Sequence, residues 1–246
     1  MRKVLDIPYG NDERQKLDLH LPDCDTFPVF VYFHGGGLET GSRRDGTVMD
    51  EHLLSHGIAV AQVEYRMYPT ARYPDFVEDA AAAVAWVKTH IAAYGHCTAL
   101  YVGGSSAGGY LSMMLCFDPH FLAAHGISPS DIDGFVHDAG QPTTHFNVLR
   151  ERGFDSRRVI VDEAAPLYHI GKAESYPPML FIVSDHDMAG RYEQTALTLA
   201  TLRHFGYDMT RVEYREMHGE HCAYVGQKDG NGHSVFGQIL VDFMQK

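Results

Sequence analysis

The sequence has no CxxC pair, no long apolar run and no excess of basic residues. Its four cysteines are scattered, which favours reduced thiols over a disulfide framework or a zinc knuckle. Since no apolar run approaches the roughly 20 residues that span a bilayer, we expect no membrane segment. The chain carries 20 Lys and Arg against 32 Asp and Glu, a formal net charge of -12, which disfavours nucleic acid and anionic membranes as partners.

Internal repeats, low-complexity tracts and linker-like segments are also lacking. The chain has 246 residues, of which 45% are hydrophobic, enough to bury one sizeable core. We therefore predict a single domain over residues 1–246. The N-terminus begins with basic residues but continues with charges instead of an apolar segment. This pattern is not that of a secretory signal and predicts a cytoplasmic protein.

Apolar runs of four or five residues predict the strands of a central sheet. They are bounded by turn residues, as is typical of parallel strands covered on both faces. The runs lie at residues 29–33, 58–61, 99–102 and 179–183, and residues 132–137 are expected to form one further strand. Residues 15–21 instead alternate polar and apolar side chains, which predicts an antiparallel edge hairpin near the N-terminus.

Helical patterns alternate with these strands. They cover residues 76–88, 108–117, 194–205 and 235–244. This alternation predicts an α/β fold with a mostly parallel sheet and helices on both faces. Residues 118–177 are less regular, and we expect most of this segment to form an excursion over the carboxyl ends of the strands, where ligands bind in such sheets.

The turn Gly104-Ser105-Ser106-Ala107-Gly108 follows one predicted strand and precedes a predicted helix. It fits the pattern G-x-S-x-G in the strand-turn-helix context that the motif requires. The glycines permit a strained turn with closely approaching neighbours, and Ser106 is the candidate nucleophile. The N–H of Ala107 begins the helix and is a candidate oxyanion donor. A phosphate-binding loop or an ordinary tight turn is the alternative interpretation.

A second glycine motif, His34-Gly35-Gly36-Gly37, follows the strand at residues 29–33. Successive glycines let the backbone direct N–H groups at a bound carbonyl oxygen, and we select Gly36 and Gly37 as further oxyanion donors. A flexible surface loop is the alternative. Both motifs occur in the order that acyl transfer needs, which favours an acyl-transfer enzyme.

Together with the blocks at residues 65–69 and 73–80, these motifs resemble the α/β-hydrolase superfamily. Within it, they are most similar to the esterases related to hormone-sensitive lipase. The resemblance covers nearly the whole chain. It departs at Ser105, where many of those esterases have aspartate. The resemblance implies a catalytic serine, acid and histidine, in that order along the chain.

The loop after residues 179–183 offers two candidate acids, Asp185 and Asp187. By comparison with the family Asp187 matches better, which leaves Asp185 as the alternative. His221 follows the last predicted strand at the position that the family gives to the base, with His218 and then His233 as alternatives. A metal pair formed by His218 and His221 lacks the helical context of a zinc protease site, so we predict no metal and no cofactor.

The sequence therefore predicts a serine hydrolase of small carboxylic esters. The lack of a large N-terminal helical cap, compared with relatives of hormone-sensitive lipase, favours water-soluble esters over triglycerides. An amidase of the kynurenine formamidase type and a carbohydrate acetyl or feruloyl esterase stay open. A serine peptidase and a small-molecule receptor on an inactive hydrolase scaffold are further alternatives. The oligomeric state is also open, with a homodimer as one option.

Overall fold

The strands predicted from the apolar runs pair into one sheet in the computed structural model, which describes residues 1–45 and 48–246. Eight strands within these residues form the sheet. They are β1 (Arg2–Pro8), β2 (Lys16–Leu21), β3 (Thr26–Phe33), β4 (Ala59–Val63), β5 (His96–Ser105), β6 (Gly134–Asp138), β7 (Met179–His186) and β8 (Val212–Glu220). The buried strands β4 and β6 consist entirely of buried residues, as expected for strands covered on both faces.

The order across the sheet is β1-β2-β4-β3-β5-β6-β7-β8. The strands β1 and β2 form the predicted antiparallel hairpin, and β2 pairs antiparallel with β4. Every other pairing in this sheet is parallel. The prediction of a mostly parallel α/β sheet is confirmed, and the carboxyl ends of β3, β5, β6, β7 and β8 meet at one edge.

Helices cover both faces of the sheet. The described α-helices are α1 (Met49–Ser55), α2 (Asp75–His90), α3 (Ala107–Phe117), α4 (His120–Ala123), α5 (Phe146–Glu151), α6 (Pro166–His169), α7 (Arg191–His204) and α8 (Val235–Met244). One core cluster joins α2, α3 and α7 to one face of the sheet. A second joins α1 and α8 to the other. Both faces are thus buried, which explains the continuous apolar runs.

The excursion at residues 118–177 contains α4, β6, α5 and α6, with loops between them. It reaches the edge where the parallel strands end, since Asn147 on α5 donates a hydrogen bond to the carbonyl of Gly37 at 2.9 Å.

The helix α1 was not predicted, because its seven residues give too short an apolar pattern. Among the described helices, none has the length and apolar character needed to cross a membrane. All four cysteines are free thiols.

Candidate active site

The turn between β5 and α3 holds Ser106 in a strained backbone conformation, with φ of 57° and ψ of -110°. Only close packing sustains such a conformation in a residue with a side chain. A Cβ on Gly104 would lie 2.4 Å from the carbonyl oxygen of Phe33, and one on Gly108 would lie 1.9 Å from the same atom. The two glycines therefore let the turn pass directly beside β3, and the turn exposes Ser106 at the carboxyl edge of the sheet.

Three of the predicted site residues form a continuous hydrogen-bonded chain. The Ser106 Oγ lies 2.8 Å from Nε2 of His221, and the Nδ1 of His221 lies 2.5 Å from a carboxylate oxygen of Asp187. These contacts join residues 115 and 34 positions apart in sequence. The arrangement has the geometry of a nucleophile, a base and the group that orients the base.

The Asp187 side chain is 1% exposed and accepts backbone hydrogen bonds from Met188 at 2.7 Å and Ser184 at 3.3 Å. Burial alone would raise the pKa of this carboxyl group. The hydrogen bond and charge of His221, together with the two backbone donors, outweigh burial and lower its pKa. Asp187 is therefore an anion that fixes the ring of His221.

The alternative acid, Asp185, pairs with a different histidine. Its carboxylate contacts Nδ1 of His218 at 2.7 Å and accepts the N–H of Gly219 at 2.8 Å. These two bonds lower the pKa of Asp185 to about 2, and the bond to Asp185 raises the pKa of His218. The His218 side chain is 88% exposed, so this pair lies in solvent beside the buried pair of Asp187 and His221.

The glycine loop after β3 lies against the nucleophile turn. A Cβ on Gly35 would be 3.3 Å from the Cβ of Ser106. Gly36 has φ of 114° and Gly37 has φ of 66°, both in the left-handed region that favours glycine. On the opposite side, Ala107 is the first residue of α3, and no side chain caps that helix at Ser106. The first N–H groups of a helix have no partner within it, so they are available to a ligand.

A cavity of about 520 Å³ opens beside Ser106 and the start of the glycine loop. Its walls include Ser106, His221 and the loop residues Gly35 and Gly36. Tyr32, Arg43, Cys222, Val225 and Gly226 are also among the lining residues. Ser106 and His221 thus face a space large enough for a small organic molecule.

Comparison with known proteins supports this fold. The family model BD-FAE matches residues 17–125. A carbohydrate esterase from gut microbiota, solved in a truncated form, superposes with a TM-score of 0.78 at 18% identity, covering 100% of this chain and 97% of that one. The chain has the α/β-hydrolase fold. At this identity the structural likeness establishes the fold alone.

Curated proteins of two kinds are similar in sequence to part of this chain. A probable isoprenylcysteine alpha-carbonyl methylesterase of Arabidopsis thaliana is 35% identical over 109 residues, which are 43% of this chain and 23% of that protein. The kynurenine formamidase of Danio rerio is 32% identical over 114 residues, or 46% of this chain and 38% of that protein. The matched regions are thus well under half of each relative. The closer relation to hormone-sensitive lipase stays a prediction.

Sequence reasoning missed two polar residues that lie beside the candidate site. Asp138, at the end of β6, is 0% exposed and its backbone carbonyl accepts the N–H of Ser106 at 2.8 Å. Asn147, on α5, holds the carbonyl of Gly37. An aspartate that ends an apolar strand was a usable signal for the first. No sequence pattern marks the second, because its role depends on how the excursion folds.

Within residues 1–45 and 48–246, one group of side chains could hold a metal ion. Possible ligand atoms of Asp185, His186 and His218 lie within 4.8 Å of one another, and all three residues are exposed. His218 and His221, which the sequence offered as an alternative metal pair, do not share a site, because each ring bonds a different carboxylate. His233, the most distant alternative base, lies near Asp229 and the ring of His52.

Proposed function

We propose that the protein is a serine hydrolase that cleaves small carboxylic esters through an acyl-enzyme intermediate. The observation that carries this proposal is the hydrogen-bonded chain from Ser106 through His221 to Asp187. A serine hydroxyl is a weak nucleophile at neutral pH and needs a base within hydrogen-bond reach. The contact of 2.8 Å between Ser106 Oγ and His221 Nε2 meets that requirement.

In the first half of the reaction, Ser106 Oγ attacks the carbonyl carbon of the ester and its proton passes to Nε2 of His221. The carbonyl oxygen becomes an oxyanion, for which the N–H groups of Gly36, Gly37 and Ala107 are the proposed donors. Collapse of this intermediate breaks the bond to the alcohol oxygen, which takes the proton from His221. Ser106 is left acylated.

In the second half, His221 accepts a proton from water as the water oxygen attacks the acyl carbon. The bond between the acyl group and Ser106 then breaks, the proton returns to Ser106 Oγ, and the carboxylic acid leaves. Asp187 holds the imidazole in the tautomer with Nδ1 protonated and stabilises the imidazolium that forms in both halves. The scheme needs no cofactor and no metal ion.

The proposed substrate class is small esters. The cavity of about 520 Å³ suits a small molecule and lies within the usual range of ligand sites. Similarity to the methylesterase of Arabidopsis thaliana supports an ester with a small group on one side. We further propose that the protein acts in the cytoplasm on a free small molecule, without nucleic acid or membrane partners.

A second candidate is cleavage of an amide, favoured by the similarity to the kynurenine formamidase of Danio rerio. The same serine attack applies to a formamide, but the leaving group is then an amine, which must be protonated before it departs. Proton donation by His221 to that nitrogen meets this need. A carbohydrate acetyl or feruloyl ester is a third option that requires only a different alcohol.

The test is hydrolysis of aryl acetate, butyrate and decanoate esters and of an aryl formamide by the purified protein. The Ser106→Ala variant is the matched control, since it removes one hydroxyl group and leaves the fold intact. We expect the short esters to be cleaved fastest and the variant to lose at least about 10³-fold in kcat. An inactive, folded wild-type protein whose Ser106 also resists phosphonate labelling would contradict the proposal and favour a binding protein. Faster cleavage of the formamide than of every ester would favour the amidase.

A further inference from the structure

A second buried carboxylate lies behind the nucleophile and has no place in the mechanism above. Asp138 ends β6, is 0% exposed, and is the cross-strand neighbour of Ser105 at the end of β5. Burying a carboxylate in a protein interior is unfavourable unless hydrogen bonds or charges compensate. The contacts of Asp138 therefore indicate what this carboxylate does.

Each part of Asp138 contacts a different piece of the candidate site. Its backbone carbonyl accepts the N–H of Ser106 at 2.8 Å. One carboxylate oxygen accepts the hydroxyl of Ser105 at 2.5 Å, and Ser105 in turn accepts the hydroxyl of Tyr32 at 3.0 Å. The other carboxylate oxygen accepts the hydroxyl of Tyr224. Asp138 is thus bonded on one side to the nucleophile turn.

The bond to Tyr224 connects the same carboxylate to the base. Tyr224 lies three positions after His221, in a short segment that begins at Cys222 with φ of 55°. Tyr224 is 2% exposed and belongs to the second core cluster, where its ring is tilted by 50° against that of Phe236 with the centroids 6.2 Å apart. The hydroxyl bond to Asp138 therefore fixes the position of the loop that carries His221 relative to the turn that carries Ser106.

The charge of Asp138 also reaches the base. Burial raises the pKa of Asp138 to about 6, although the hydrogen bonds from Ser105 and Tyr224 and the charge of His221 act in the opposite direction. When this carboxyl group is ionised, its negative charge and the positive charge of a protonated His221 attract each other. The titratable or charged groups that face Asp138 from neighbouring elements are Tyr32, Asp187, Arg191, His221, Cys222 and Tyr224.

We infer that Asp138 is a positioning residue that ties the Ser106 turn to the His221 loop and stabilises the charged form of His221. This inference rests on the proposed serine hydrolase function, since it concerns the same nucleophile and base. It explains why the nucleophile turn carries a hydroxyl at Ser105. That hydroxyl donates to the carboxylate at the one position where β5 and β6 both end.

The decisive variant is Asp138→Asn, which keeps the size of the side chain and removes its charge. We expect kcat on an aryl ester to fall about 10- to 100-fold, with KM changed by less than roughly twofold. We also expect the acidic midpoint of the kcat/KM profile to move to lower pH by about half a unit or more, because the anion that favours the imidazolium is gone. A purely structural role would not move this midpoint.

Two further variants separate the tether from the charge. Tyr224→Phe keeps the carboxylate and removes only the bond to the base loop, so kcat should fall while the midpoint moves much less. Asp133→Asn is the matched control, because Asp133 accepts the N–H of Leu100 at 2.7 Å at the opposite end of the same two strands. Its kcat and midpoint should equal those of the wild type.

Unchanged kcat and midpoint in Asp138→Asn would overturn the inference, as would a loss of kcat that Asp133→Asn reproduces. Should Asp138→Asn not fold, Tyr224→Phe decides, and wild-type kcat in that variant would overturn the inference. A wild-type protein that cleaves no ester would contradict the proposed function instead. The inference is then judged on the pH midpoint of Ser106 labelling by a phosphonate, which requires the same base but no ester turnover.

Discussion

Replacing Asp187 by asparagine should reduce kcat far more than the same replacement at Asp185. One carboxylate oxygen of Asp187 accepts from both Nδ1 of His221 and the N–H of Met188, and the other accepts from the N–H of Ser184. An amide has only one acceptor oxygen, so either orientation of the asparagine turns an N–H group toward a donor. It also removes the charge that stabilises the imidazolium.

The same replacement in a well-studied serine triad costs about 10⁴-fold in kcat. We expect about 10³- to 10⁴-fold here, or roughly 4 to 5.5 kcal/mol in the activation free energy. Asp185 contacts His218, whose side chain is 88% exposed, and neither faces Ser106. Asp185→Asn should therefore change kcat by less than about twofold.

The assay is steady-state hydrolysis of an aryl acetate by the wild type and both variants, with thermal melting to verify that each is folded. Because both variants make the same chemical change at positions two residues apart, a difference in kcat between them reports the role of the carboxylate and not the type of substitution. A large loss in Asp185→Asn with an active Asp187→Asn would refute the reasoning and assign the acid to Asp185. Similar small losses in both would mean that neither carboxylate orients the base.

Three further results are expected. Gly108→Ala should lower the free energy of unfolding by more than about 4 kcal/mol in chemical denaturation, because the new Cβ would lie 1.9 Å from the Phe33 carbonyl oxygen. The control is Gly230→Ala, whose Cβ would meet no atom within 4 Å and which should change that free energy by less than about 0.5 kcal/mol. Burial lowers the pKa of His137 to about 3. The unfolded chain therefore binds a proton at His137 from about pH 6.5 downward while the folded protein does not, so the free energy of unfolding falls as pH drops. Relative to the His137→Asn variant, the wild type should lose about 2 kcal/mol of stability between about pH 7 and pH 5. Equal pH dependence of stability in the two proteins would contradict this. Asn147→Ala removes the hydrogen bond to the Gly37 carbonyl in the glycine loop and should lower kcat about tenfold. An unchanged kcat would show that the glycine loop keeps its position without that bond.

Local patterns were sufficient to predict most of the framework. The apolar run at residues 29–33 forms the carboxyl part of β3, and the alanine-rich pattern at residues 76–88 lies within α2. The helix at residues 235–244 is observed with the predicted bounds. Such elements are predictable because burial on one or both faces imposes a period on neighbouring residues. The short helices of the excursion have too few residues to show a period.

The residues of the candidate site likewise include some that local sequence patterns predict and some that they do not. Ser106 and the glycines around it can be predicted from the local sequence, because a sharp turn between a strand and a helix requires particular residues at adjacent positions. The sequence could not choose between Asp185 and Asp187 from residues alone, since both follow the same strand. The structure pairs each with a different histidine, and only the pair with Asp187 reaches Ser106.

The sequence by itself determined the α/β framework, the serine turn and the glycine loop, because each depends on periodicity or backbone freedom within a few residues. The tertiary structure alone decided which carboxylate meets which histidine, that Asn147 bonds the glycine loop at Gly37, and that Asp138 bonds both Ser105 and Tyr224. These contacts join segments that are far apart in the chain. Their geometry follows from the register of neighbouring strands and the packing of the excursion, which no local pattern encodes.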